Sequence, residues 1–534
     1  MKRSSVLAAP LAFLGLAAPL LAHEFEEQKL LASDAMPGDA FGRSVAVDDE
    51  TIVVGAPGVD ALGTDSGAAY VFQHNGVSFV EVAKLVPNDG AAFDSFGISV
   101  AISGATILVG APGHDGAGTD TGAIYVFEEV LGLWTQTAKF EGIGAVDGEM
   151  LGGSVAIDGT TAVGGAVNNG GIGAAYVFEN TAGTWAQQAK LLASDGAAGQ
   201  AFGKSVSVYG DSILVGAILA DGRVARTGAA YVFDRVGGVW SETAKLQSPS
   251  GNLGDFFGAS VAIWGGNIAV VGSPGDDNAG LNSGSAYNFA RTASGWTQTV
   301  QRFGARAGDL YGGAVSYAYR TTMVGSRLDD QSVPDCGSAK IYVALGNTTG
   351  FEVYVTNDQD TGDQQGGAVA ASGCDMVTGA FGDDEAGLDA GAAYLYVLKH
   401  AETLLANGSG VNPTCMTTVD APVIGHDWTI DVDTSAFPTA ASSEVVVYRD
   451  FLASPVLRPI GEILIDRQSG FVARSTVAGF GVVRHTFPIP NDPFLVGITL
   501  AAQGLVRSGA AGLPILSLCN GEAITIGCHP PDVP

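Results

Sequence analysis

Acidic side chains are the residues of this 534-residue chain most able to do chemistry. Asp and Glu number 55 against 25 Lys and Arg, a formal net charge of −30. One triplet, Gly-Asp-Asp, occurs at 275–277 and again at 382–384, which makes Asp276, Asp277, Asp383 and Asp384 the candidate metal ligands. Oxygen atoms gathered from converging loops suit Ca²⁺, which takes about six to eight of them. The competing reading is that Asp favours turns by bonding its own backbone, and that acid keeps an exported protein soluble.

Other chemistries find little support. The seven His, at 23, 74, 114, 400, 426, 485 and 529, are scattered and none has a zinc-ligand spacing. No HExxH, Walker loop or strand-linked G-x-G-x-x-G stands in a confirming context. A G-x-S element does recur, but a nucleophile elbow needs one Ser on a strand-to-helix turn. Here Ser or Ala fills the position in every copy. No catalytic residue is assigned, and the protein is read as not an enzyme. A nucleic-acid partner needs a basic footprint, which this composition denies.

The acids must be positioned by something, and the chain aligned on itself shows what. An aromatic or other residue followed by Gly recurs at Phe41, Phe96, Leu151, Phe202, Phe257, Tyr311 and Gln365, at spacings of 55, 55, 51, 55, 54 and 54 residues. A second signature, opened by Gly55, Gly110, Gly165, Gly216, Gly272, Gly325 and Gly379, follows 14 or 15 residues later. A third, "AAYVF" or a variant, is marked by Tyr70, Tyr125, Tyr176, Tyr231, Tyr287, Tyr342 and Tyr394. A fourth, of the form W-x-x-x-A-K-L or a variant, appears at Trp134 to Phe140, Trp185 to Leu191 and Trp240 to Leu246.

Each unit therefore holds four strands, a to d. Four strands in a repeat of this length mark a β-propeller blade. Small residues in "G-x-S-V-A" give backbone without bulk where inner strands crowd together. Pro57, Pro112 and Pro274 end strand b at no cost in ladder bonds. The seventh unit has no convincing strand d, yet "EEQKLLASD" at 26–34 is a strand d with nothing before it. Residues 26–31 are expected to complete the last blade.

With these two signatures recurring in register seven times, residues 26 to about 400 resemble the FG-GAP repeat family, the propeller of integrin α-subunits and of many exported bacterial proteins. The resemblance implies adhesion or extracellular ligand binding. In integrins several a–b connections carry a calcium loop of the form D-x-D-x-D-G. Here those connections are only "DDE", "SGA" or "DGT", too short to wrap the ion. Any Ca²⁺ would have to sit on the b–c loops, and no cofactor is certain.

Alternation puts b–c loops and d–a connections on one face of the disc. The b–c loops hold 13 Asp, from Asp60 to Asp389, and the d–a connections 11, from Asp34 to Asp363. Only four Arg, at 223, 226, 306 and 327, share those loops. One rim should be strongly acidic.

The flanks complete the division of the chain. Lys2 and Arg3 precede an apolar run interrupted by Pro10 and Pro19, which reads as a signal peptide over 1–22 that leaves no membrane span after cleavage. The propeller runs over 26–398, a linker over 399–414, a smaller C-terminal β-sandwich over 415–528 and a tail over 529–534. Asn520-Gly521 marks a hairpin turn there. Five Cys permit a bridge from Cys415 to Cys519 or Cys528, with Cys336 and Cys374 left on opposite faces. The expectation is a secreted, periplasmic or cell-surface protein with an extracellular protein or glycan as ligand. A secreted hydrolase or lyase, or an envelope component, is the alternative.

Overall fold

A computed structural model describes residues 25–398, except 319–320, 331–332, 346–347, 355–359 and 374, together with a set of strands between 402 and 525. The described residues are almost wholly strand and turn, with a single 3-10 turn at Asn169–Gly171. Seven four-stranded antiparallel sheets form the propeller. Blade one shows the pattern: strand a is Ser44–Asp48, b Thr51–Ala56, c Ala68–His74 and d Phe79–Leu85. Blades two to six repeat it over 99–140, 151–191, 202–246, 261–303 and 314–354.

Strand a lies at one edge of every sheet. Each strand a touches the strands a of both neighbouring blades, whereas strands d of adjacent blades scarcely meet. Strand a therefore surrounds the axis, and the blades splay outward from it. Blade seven takes its fourth strand from the other end of the propeller. Phe25–Leu30 pairs antiparallel with Ala392–Leu398, placing Lys29 opposite Tyr394 and Leu30 opposite Ala393. The same partners recur in blade one as Lys84 opposite Tyr70 and Leu85 opposite Ala69. The ring closes without a covalent link.

Both Gly signatures have one cause. The Gly after the aromatic holds φ near +90° (Gly42 +89°, Gly97 +92°, Gly203 +87°), where a side chain is strained. Its carbonyl then points into the preceding blade. A Cβ on Gly55 would meet the oxygen of Gly97 at 2.0 Å, and one on Gly110 the oxygen of Gly152 at 2.0 Å. Blade seven meets blade one likewise, through Gly379 and Gly42. The Ser of G-x-S donates to the same oxygen: Ser44 Oγ to Gly97 at 2.8 Å, Ser99 Oγ to Gly152 at 2.7 Å, Ser154 Oγ to Gly203 at 3.0 Å and Ser205 Oγ to Gly258 at 2.9 Å. That Ser is a rivet between blades.

The aromatic before the Gly fills the wedge. Phe41 is fully buried and edge-on to Tyr70 and Phe72 of its own blade, within a cluster that also takes in Leu30, Val377 and Leu395 of blade seven. Burial of an aromatic of this size is among the largest stabilising terms a single residue offers.

Three readings of the sequence need correction. Tyr342 does not take the Tyr70 position. Gly325 pairs with Ala339 as Gly55 pairs with Ala69, so Lys340 stands at the Tyr position and Tyr342 two residues on, where blade one has Phe72. Asn520-Gly521 is no hairpin turn, because both residues lie within one strand, Leu516–Thr525, where the register to Thr499–Ser508 slips between Gln503 and Leu505. Gly within a strand marks such a bulge as readily as a turn. Finally, Glu402–Ala406, read as linker, is a strand paired with 521–525. With these three strands included, the C-terminal strands form sheets of five, three and two strands. The signal segment 1–22, Cys374, Cys415 and Cys528 lie outside the described residues.

Candidate functional site

The b–c loops share one turn. In six of the seven, an Asp carboxylate accepts the backbone N–H of the residue five positions on. The pairs are Asp60 with Asp65 (2.9 Å), Asp115 with Asp120 (2.9 Å), Asp221 with Arg226 (3.0 Å), Asp277 with Asn282 (2.7 Å), Asp330 with Asp335 (2.8 Å) and Asp384 with Asp389 (2.6 Å). The donor residue always has positive φ, from 48° at Asp120 to 56° at Arg226. Asp and Asn tolerate that conformation better than most residues. Two residues later a Gly with positive φ forms a parallel bridge to the next blade, as Gly67 does to Phe96 and Gly391 to Phe41. Much of the acid in these loops is turn chemistry.

The d–a connections bury their acids. The residue two before the Phe-Gly position is Asp39, Asp94, Glu149, Gln200, Asp255, Asp309 or Asp363, and all seven are buried. The acids fold back on a backbone N–H three residues earlier, for example Asp39 Oδ2 on Met36 at 2.7 Å and Asp363 Oδ2 on Asp360 at 2.7 Å. Burial raises the pKa of Asp39 and Asp309, against the pull of those amides.

A second acid of the connection is gripped by the following blade. Tyr70 Oη donates to Asp34 Oδ1 at 2.8 Å and Lys84 Nζ to Asp34 Oδ2 at 2.6 Å. Tyr125 and Lys139 hold Asp89 at 2.9 Å each, and Tyr231 and Lys245 hold Asp195 at 2.8 and 2.6 Å. Lys84 and Lys245 also sit over the rings of their Tyr, at 5.2 Å from each centroid. In blade three the Asp position is Gly144, and Tyr176 turns instead to Glu149 and Asn169. Counting only the four loop Arg therefore overstated the excess charge of this face. Lysines from strand d reach across to it, because a four-carbon stem spans the gap between the end of a strand and the next connection. The signal was in the sequence: Asp to Tyr is 36 residues, and Asp to Lys 50, in all three cases.

The four candidate metal ligands fall into these patterns. Asp276 is buried; Oδ1 accepts the Asn278 N–H at 2.8 Å and Oδ2 the Tyr287 hydroxyl at 2.5 Å. Asp383, equally buried, accepts the Glu385 N–H at 3.1 Å and the Tyr394 hydroxyl at 2.7 Å, with Lys29 Nζ at 2.9 Å. Asp277 and Asp384 are the exposed turn acids already described. The two pairs belong to different blades, five and seven. Among the described residues, no three His, Cys, Asp or Glu side chains come together in a group that could hold a metal ion.

One carboxylate is poised to carry a proton. Asp255 Oδ2 accepts the Asn252 N–H at 2.6 Å, while Oδ1 has no hydrogen-bond partner. Burial lifts its pKa to about 6; the Asn252 amide opposes the rise, and the charges of Asp276 and Asp277 add to it. At 1 % exposure it is closed to a substrate. At the equivalent position in blade two, Asp94 Oδ2 has both the Ala91 N–H at 2.9 Å and His114 Nδ1 at 3.1 Å beside it.

Seven radially arranged four-stranded blades, with one face of pinned loops, define a β-propeller. The FG-GAP repeat model matches residues 25–72, 79–127, 134–178, 185–233, 240–289 and 354–396. The chain belongs to the FG-GAP repeat family. The first five matches each run from a strand d through strands a, b and c of the next blade, and the sixth starts at the last residue of strand d of blade six, Tyr354. The stretch left unmatched carries blade six, where Tyr311 replaces the Phe and Lys340 the Tyr. A search of curated proteins finds no match to the chain. No helix among the described residues is long and apolar enough to cross a membrane.

Proposed function

We propose that this is a secreted or cell-surface, non-enzymatic binding protein that presents the b–c and d–a loop face to an extracellular protein or glycan. One observation carries the reading: six b–c loops are pinned in the same shape, leaving Asp60, Asp65, Asp115, Asp120, Asp330 and Asp335 exposed. Large apolar side chains stand exposed on the same face, including Leu62, Phe93, Ile143, Leu253, Leu281 and Leu388, at 46 to 73 %. Apolar tips set among carboxylates, on loops whose ordering entropy is already spent in folding, favour a protein interface over a merely solvated surface. A basic or mixed partner surface fits that pattern.

The test is capture from an extract of surface proteins and glycans, with and without EDTA. Replacing Asp60, Asp65, Asp115 and Asp120 together by Asn should abolish capture. Replacing Leu131 and Leu133, exposed on a c–d hairpin of the opposite face, should leave it intact. Capture that survives the first set and fails with the second would reverse the face assignment.

A further inference from the structure

The mouth of the central channel carries the opposite charge to the loops around it. Two positions of each repeat fall at this end of the inner strands: the residue after the Phe-Gly pair, which opens strand a, and the residue just after strand b. Phe381, which follows strand b of blade seven, packs against Gly367 at the strand-a position of its own blade and lies beneath the guanidinium of Arg43 at 5.2 Å. Of the 14 residues at these positions around the ring, three are cationic (Arg43, Lys204 and Arg327) and none is acidic. In a chain with more than twice as many acids as bases, that local reversal is not what composition alone would produce.

Arg43 and Lys204 occupy the same position in blades one and four, three steps apart in a ring of seven, and so face each other across the axis. Both are solvent-exposed, as is Arg327, and none of the three has a carboxylate within ion-pair distance among the described residues. Arg327 has only a long contact, 3.5 Å, to Gln364. Enclosure by the blades pulls the pKa of Arg43 down, helped by the charge of Arg327, and that of Lys204 down, helped by Arg43. The acids of strand a, Asp48 and Asp158, sit at its far end, five residues or roughly 16 Å along the channel. They bond a–b turn amides there, at Gly104 and Gly210. At that distance salt screens them from the basic mouth.

We propose that this mouth binds a small oxyanion, the phosphate, sulfate or carboxylate group of a ligand, between Arg43 and Lys204 with Arg327 beside them. A guanidinium presents a planar fork to two oxygens of such a group and an ammonium adds a point charge. Gly at the strand-a position in blades three, six and seven leaves room over the opening. The acidic rim outside disfavours large polyanions, so the ligand is a small molecule or the tip of a chain. The site stands apart from the loop-face partner proposed above and does not depend on it.

Calorimetric titration of the full chain with sodium sulfate, sodium phosphate and sodium citrate at pH 7, in the low millimolar range and at constant ionic strength, tests this. At least one should bind saturably, and which one identifies the group. Arg43→Gln and Lys204→Gln should each weaken that binding tenfold or more, while Arg223→Gln, which removes a loop Arg, should not. Melting without ligand should be unchanged or raised in the two channel variants, since each removes a charge repelled by its neighbours. Saturable binding by none of the three salts, or binding that persists when Arg43→Gln and Lys204→Gln are combined in one chain, would overturn the proposal.

Discussion

The carbonyl oxygen of Gly97 stands 2.0 Å from the place that a Cβ on Gly55 would occupy. Blade two can approach blade one only because position 55 has no side chain, and neither residue can change alone. Gly55→Ala should therefore cost about 1–3 kcal/mol through overpacking at a backbone contact. Gly153→Ala is the control, since its Cβ would meet nothing nearer than 3.5 Å; it should stay within about 0.5 kcal/mol of wild type. Urea unfolding of the two variants decides it, and equal losses would mean that the blades can shift apart freely.

Removal of residues 23–31 should leave Ala392–Leu398 as an unpaired edge and expose the pocket filled by Leu30, which is 2 % accessible. Open edges pair with other chains. The deletion protein should melt lower and associate on size-exclusion chromatography. A monomer with wild-type melting temperature would show that the first strand contributes nothing to closure.

Stability should fall as pH rises between about 4 and 6, in part through Asp255. Its folded pKa, about 6, lies above the ordinary value of 3.8, so the native state holds a proton in that window that the unfolded chain has lost, and unfolding becomes easier as the pH climbs. Asp34, Asp89 and Asp195 act in a lower range. Burial opposes their ionisation, but hydrogen bonds from Lys84, Lys139 and Lys245 and from the paired Tyr hold them below the ordinary value. Their contribution is complete above about pH 4 and is lost below it. Asp255→Asn should raise stability at pH 7 and flatten the slope between pH 4 and 6, leaving the acid limb in place. Denaturation curves at five pH values measure both; an unchanged slope in the variant would remove Asp255 from the account.

Calcium, magnesium and ionic-strength-matched sodium chloride should move the melting temperature alike, because the oxygens of Asp276, Asp277, Asp383 and Asp384 already serve backbone, Tyr and Lys donors. Asp276→Asn and Asp383→Asn should lower stability at every salt concentration, since each weakens a buried bond from a Tyr hydroxyl. A rise specific to calcium and abolished by these substitutions would make the four Asp ligands. A bound ion at a hundredfold excess over its dissociation constant adds about 2.7 kcal/mol, a readable difference.

The number of blades, their strand order and the non-covalent closure were legible in the sequence, because a repeat with fixed spacing constrains every copy at once. Phe41 and its equivalents had to fill the wedge, and the two Gly signatures had to meet, whatever the loops did. Side-chain partners across blades were not legible in the same way. Lys84 lies 50 residues from Asp34 and in a strand d, not a loop, so a count restricted to the loops sees a rim with few cations. Blade six shows the limit from the other side. A two-residue shift of Tyr342 reads as the same motif, and only the pairing of Gly325 with Ala339 reveals Lys340 in its place. The basic channel mouth was hidden for a like reason. Arg43, Lys204 and Arg327 are 161 and 123 residues apart along the chain, and only closure of the ring brings these three cations around one axis. Local spacing determines which strands form; the electrostatic environment depends on contacts that the chain makes only after the circle is complete.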